Sequence, residues 1–116
     1  MLLLISTAST AFAGSDTKYN WATSPASCYM ESYSLAATPP TVSTAYTYSN
    51  CFGSLRVEGY FWNGSWHGPY VALNNGTRWA QVYWYNFAGG AEGWHTATDC
   101  CSNPSMYSNH MYATNP

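Results

Sequence analysis

The stretch Arg78-Trp79-Ala80-Gln81-Val82-Tyr83-Trp84-Tyr85-Asn86-Phe87 constrains the chain most: ten residues with five aromatics and neither Pro nor Gly. Asn75-Gly76 precedes it and Gly89-Gly90 follows it. Aromatic and β-branched residues between such turn dipeptides predict a central β-strand with a hairpin at each end. The rest of the chain reads the same way. Leu55 to Trp62 alternates, Asn63-Gly64 is a second hairpin signal, and Ser65 to Asn74 lies between the two Asn-Gly pairs. Cys28 to Leu35 and Ala45 to Phe52 read as short strands, and Gly93 to Asp99 as a last one. Ala36 to Thr44 carries Pro39-Pro40 and reads as a stiff loop. No segment has a helical period. The expectation is an all-β fold: a small antiparallel meander forming a sandwich or flattened barrel, stapled by two disulfides.

The chain opens Met1-Leu2-Leu3-Leu4-Ile5 and reaches Ala11-Phe12-Ala13 before Gly14, an A-x-A cleavage pattern. Residues 1–13 are therefore expected to be a secretory signal peptide. No basic n-region precedes the apolar run, so the peptide is expected to be truncated at its start. The run is far shorter than the roughly 20 residues that span a bilayer, so no transmembrane segment is expected. Residues 14–27 read as an irregular arm, 28–101 as the β domain and 102–116 as an irregular tail rich in Ser, Asn, Tyr and Met.

Four cysteines, Cys28, Cys51, Cys100 and Cys101, in a short exported chain predict two disulfides. Adjacent Cys100 and Cys101 are too close for ordinary disulfide geometry, so each is expected to reach back separately, one to Cys28 and one to Cys51. Each loop so closed contributes about 3–4 kcal/mol in the chain-entropy picture. There is no C-x-x-C pair, and His67, His95 and His110 are scattered, so neither a metal site nor a cofactor is expected.

Only Lys18, Arg56 and Arg78 are basic, against Asp16, Glu31, Glu58, Glu92 and Asp99. With no basic stripe to neutralise phosphates, nucleic acid is a poor candidate partner. Catalysis is not expected either. Nothing in the spacing brings Glu58 and Glu92 together as a carboxylate pair. A Ser-His-Asp arrangement drawing on one of the histidines and Asp99 lacks a nucleophile elbow. His67 beside Trp66 and His95 beside Trp94 read as polar residues at hairpin mouths. Asn63-Gly64-Ser65 and Asn75-Gly76-Thr77 match the glycosylation pattern, but turn geometry already accounts for Asn-Gly.

Register yields the functional expectation. A two-residue turn at Asn63-Gly64 opposes Phe61 to Trp66, and Gly68-Pro69 is a natural bulge. One extra residue there would oppose Val57 to Val71 and Leu55 to Leu73. Leu55, Val57, Phe61, Trp66, Val71, Leu73, Ala80, Val82 and Trp84 then form an aliphatic side. Arg56, Glu58, Tyr60, Trp62, His67, Tyr70, Trp79, Gln81, Tyr83 and Tyr85 collect on the other. Rings with hydrogen-bonding tips suit sugars: the rings stack on apolar C–H faces while polar groups meet the hydroxyls. The expected function is non-catalytic binding of a polysaccharide or other cell-envelope ligand by a secreted domain. The alternatives are a secreted toxin, antimicrobial or inhibitor, and a self-associating surface or matrix protein. In the bland alternative the strands at 28–35 and 45–52 simply cover the aromatic side. The sequence sets no oligomeric state.

Overall fold

The computed structural model describes residues 13–21, 28–50, 53–74, 78–98 and 106–115. These form eight strands: β1 (Ala13–Trp21), β2 (Tyr29–Ala37), β3 (Ser43–Ser49), β4 (Ser54–Trp62), β5 (Trp66–Leu73), β6 (Trp79–Trp84), β7 (Gly90–Thr98) and β8 (Met106–Thr114). All pairings are antiparallel, and no described residue is helical.

Alternation explains the strands. In β2, Met30, Ser32, Ser34 and Ala36 are buried while Tyr29, Glu31, Tyr33 and Leu35 face outward. In β4, Leu55, Val57, Gly59 and Phe61 are buried, and Arg56, Glu58 and Tyr60 face outward. Period-two patterning commits each strand to one inner and one outer surface.

The strands do not form a single meander. One sheet has the order β1-β2-β3-β6 and the other β5-β4-β7-β8. The chain changes sheet between β3 and β4, again between β5 and β6, and again between β6 and β7. The strand at 79–84 is thus the edge of the first sheet, not a central strand with a hairpin at each end. Positive φ at Asn74 (35°) and Arg78 (59°) flanks residues 75–77, which lie outside the described ones. Across this connection the chain passes from the sheet of β5 to that of β6. A continued meander would have left one broad layer with nothing to cover its apolar face; two layers cover each other.

Two segments expected to be irregular contain strands. β1 lies in the expected arm and β8 in the expected tail. Each pairs along its full length, β1 with β2 and β8 with β7. Neither alternates in hydrophobicity, so neither is visible without its partner.

The expected bulge exists, but Val57 and Val71 do not face each other. Tyr70 opposes Gly59 and His67 opposes Phe61, so β5 has one extra residue at Gly68-Pro69. Gly68 is required there: its φ is +138° and an added Cβ would lie 2.7 Å from the Gly59 carbonyl oxygen. However, Trp62 pairs with Trp66, because the hairpin loop takes in Ser65 as well as Asn63-Gly64. The longer loop adds a second one-residue shift, and two shifts restore the parity that the bulge alone would have flipped. Val57 therefore opposes Ala72, while Val71 and Leu73 face outward with 47% and 64% exposure. Trp66 also turns outward, and His67 and Tyr70 turn inward.

The two sheets face each other across one core. Met30, Ala45, Ala80 and Val82 come from the first sheet; Leu55, Val57, Phe61, Ala91 and Ala97 come from the second. Gly59 permits a close approach, since a Cβ there would sit 2.7 Å from Cγ2 of Val82. Phe61 and Trp84 lie parallel, centroids 5.8 Å apart, and His67 and Tyr70 close the edge against Trp84 at 4.9 and 5.7 Å. The core is unusually polar. Ser32, Ser34, Ser43, Thr47, Ser49 and His95 are all fully buried. Thr47 Oγ1 lies 3.1 Å from His95 Nδ1 and Ser34 Oγ lies 3.3 Å from Nε2, so β7 is tied to both β2 and β3. His95 is thus a core residue and not a hairpin-mouth one.

Cys28 is buried just before β2. Cys51, Cys100 and Cys101 lie outside the described residues, as does the expected signal peptide apart from Ala13.

Candidate functional site

The ten residues expected on one face are divided among three places. Trp79, Gln81 and Tyr83 lie on the outer face of the first sheet, with Tyr85 just beyond the end of β6. Arg56, Glu58, Tyr60 and Trp62 lie on the outer face of the second sheet, on the opposite side of the molecule. His67 and Tyr70 face the core edge. The grouping fails because it assumed that β5 and β6 pair across Asn75-Gly76, whereas they belong to different sheets.

The outer face of the first sheet is larger than the sequence reading allowed. The strands at 29–37 and 43–49 do not cover Trp79 and Tyr83; they lie beside β6 and extend the same surface. Cross-strand pairing sets out the rungs. Trp21 meets Tyr29; Tyr19, Glu31, Tyr48 and Trp79 form the next; then Thr17, Tyr33, Tyr46 and Gln81; then Ser15, Leu35, Thr44 and Tyr83. The signal for the missed rings was present in Tyr29-x-Glu31-x-Tyr33 and Tyr46-x-Tyr48, where rings recur at the two-residue period of a strand.

The rings make a connected lattice. Tyr33 stacks on Tyr46 at 4.9 Å and Tyr46 on Trp79 at 4.4 Å. Tyr48 tilts against Trp79 at 5.6 Å, Tyr29 against Tyr48 at 6.0 Å, and Trp21 against Tyr29 at 5.0 Å. In the Tyr33–Tyr46–Trp79 column, ring faces are occupied by neighbouring rings. The rings offered to a ligand are those at the margins. Tyr83 and Tyr85, 48% and 70% exposed, bound one end, and Tyr19 and Trp21 the other.

Polar groups are threaded between these rings. Gln81 Oε1 accepts from Trp79 Nε1 at 2.7 Å and from the Tyr83 hydroxyl at 2.8 Å, and its Nε2 donates to Thr44 Oγ1 at 2.8 Å. The Tyr46 hydroxyl donates to Glu31 Oε2. Burial, and then this hydrogen bond to Glu31, push the Tyr46 hydroxyl well above its ordinary pKa, so it stays protonated. Glu31 is the single formally charged side chain on these rungs.

The outer face of the second sheet differs. Trp62 and Trp66 lie 5.5 Å apart, with Tyr112 edge-on to Trp66 at 6.0 Å, and Trp94 stacks separately on His110 at 3.9 Å. The β4–β7 pairing also sets Glu92 directly across from Tyr60 and so diagonal to Glu58, a proximity the linear spacing conceals. Each carboxylate is already engaged. Glu58 accepts from Tyr60 at 2.8 Å and pairs with Arg56 at 3.3 Å, while Glu92 pairs with His110. The hydrogen bond to Glu58 raises the Tyr60 hydroxyl above its ordinary value. Ser34 and His95 do meet, but both are fully buried, so no substrate reaches them there. Among the described residues, no three of His, Cys, Asp and Glu converge on a point.

Comparison of the chain with protein-family models, with curated proteins and with solved structures finds no match to any of them.

Proposed function

We propose that this chain is an exported, non-catalytic binding domain that takes a neutral polysaccharide on the outer face of its first sheet. One observation carries the reading: a ring lattice from Trp21 to Trp79 runs across four strands and is joined to Tyr83 through Gln81, with Thr44, tyrosine hydroxyls and a single carboxylate interleaved. Aromatic planes with a few fixed polar groups match a ligand that alternates C–H faces with hydroxyls. The scarcity of charge favours a neutral polymer over an ionic one. Tyr29 packs against Tyr19 and Trp21 at one margin and Gln81 holds the Tyr83 hydroxyl at the other, so the ligand meets a surface already organised and little side-chain freedom is lost on binding. Export and two disulfides, linking Cys28 and Cys51 separately to Cys100 and Cys101, belong to the same reading. Ala11-Phe12-Ala13 and the cysteine count support them.

Retention of the purified protein on chitin, cellulose and peptidoglycan tests the proposal. Replacing Tyr83 and Tyr85 together by Ala should weaken retention about tenfold, with the melting temperature nearly unchanged. Trp94→Ala, on the opposite face, should leave retention as it was. Equal loss from both faces, or no retention on any of the three polymers, would refute it.

A further inference from the structure

The first sheet ends on one side at β1, and the edge strands of this molecule are not alike. β5 holds the Gly68-Pro69 bulge, and Pro69 has no N–H to offer a further strand. β6 is short, Trp79–Trp84, and β8, the far edge of the second sheet, is met at its Thr114 end by Gly14 of β1. β1 runs unbroken over Ala13–Trp21 without proline, and residues 15–19 are all exposed. Among the described residues it pairs only with β2. Its Gly14 end is seated against β8, since a Cβ there would fall 1.6 Å from the Thr114 carbonyl oxygen, so β1 is a fixed edge.

Charges on an edge strand, inward-pointing ones included, discourage pairing with any strand that leaves them unanswered. β1 bears two charges of opposite sign, Asp16 and Lys18, one on either side of Thr17. Both occupy the same side of the strand, opposite Ser34 and Ser32. We propose that β1 is a dimerisation edge, where a second copy of this chain pairs antiparallel about a two-fold axis through Thr17. That axis sets Asp16 of each copy opposite Lys18 of the other, and Ser15 opposite Tyr19. The contact is isologous, so one pattern satisfies both partners. Parallel in-register pairing would instead oppose like charges, and the charge pattern rejects it. Only eight Asp, Glu, Lys and Arg residues occur in the whole chain, and two of them straddle this one position. The dimer joins two first sheets into one, with the Ser15 and Thr17 hydroxyls of both copies forming a low strip between their ring lattices.

The test needs no polysaccharide and is independent of the binding proposal. Sedimentation velocity over a dilution series should show a monomer–dimer equilibrium for the full chain. Lys18→Asp and Asp16→Lys should each weaken it about tenfold, because two attractive pairs become repulsive. The double exchange D16K/K18D should restore it. Thr17→Cys should give a covalent dimer on oxidation, since the axis brings the two Thr17 positions together. A chain monomeric throughout, a dimer indifferent to the single reversals, or a double exchange that fails to restore association would each overturn the proposal. Circular dichroism of the variants should match the parent, since residues 16–18 are exposed.

Discussion

The inward and outward surfaces of the first sheet are built from the same strands but from opposite kinds of side chain. Inward stand Met30, Ser32, Ser34, Ala45, Thr47, Ser49, Ala80 and Val82; outward stand Tyr29, Tyr33, Tyr46, Tyr48, Trp79 and Tyr83. In an ordinary sheet packed on a core, bulk is inside and small polar residues are outside. Here that distribution is largely reversed. The large inward side chains come mainly from the facing β4, as Leu55, Val57 and Phe61, and from Trp84. The contrast teaches that the outward rings are not what holds the two sheets together, which is why a binding role fits them.

The sharpest way to break this contrast is to truncate one large residue on each side. Phe61→Ala empties the centre of the core and should destabilise by about 3–5 kcal/mol in denaturant titration. If Tyr46→Ala were as damaging, the outward rings would be structural and the contrast would fail.

A slightly smaller effect should come from pH. Burial holds His95 at a pKa of about 4, against an ordinary 6.5. The unfolded chain takes up a proton below about 6.5, whereas the folded chain resists until about 4. The stabilisation is complete above 6.5 and is lost as pH falls to 4, by about 3 kcal/mol in all. Urea titrations at the two pH values should record that loss, and His95→Gln should flatten it.

Smaller again is Trp79→Ala, which removes a half-buried ring from its stack on Tyr46 and should destabilise by about 1–2 kcal/mol. The single change Tyr83→Ala, on an exposed ring, should fall within about 0.5 kcal/mol of the parent.

Local structure was largely legible in the sequence; the assignment of strands to sheets was not. Alternation in Leu55 to Trp62 located β4 to within a residue, and Gly68-Pro69 marked a real bulge. Asn63-Gly64 marked a real hairpin, but Ser65 joined its loop, and a single residue there was enough to turn Trp66, Val71 and Leu73 to the other side. Turn dipeptides speak only for their immediate neighbours. Nothing near Asn75-Gly76 reveals that β6 leaves β5 to pair with β3, a match between Thr44 and Tyr83 made far along the chain. The candidate site inherited that limit. The sequence places its β6 residues correctly, its β4 residues belong to the opposite face, and the strands of Tyr29, Tyr33, Tyr46 and Tyr48, which the bland alternative makes a cover, are neighbours in the same sheet.

The hydroxyl-rich interior has a thermal consequence. Unfolding raises heat capacity through newly wetted apolar surface and lowers it through newly wetted polar surface. A chain that buries serines, threonines and alanines while leaving many of its rings in water changes its apolar hydration less than most. Its heat-capacity increment should fall below the usual 12–15 cal/mol/K per residue, roughly speaking. Its stability should then vary less with temperature between cold and warm surroundings, the behaviour of a flat, shallow dome.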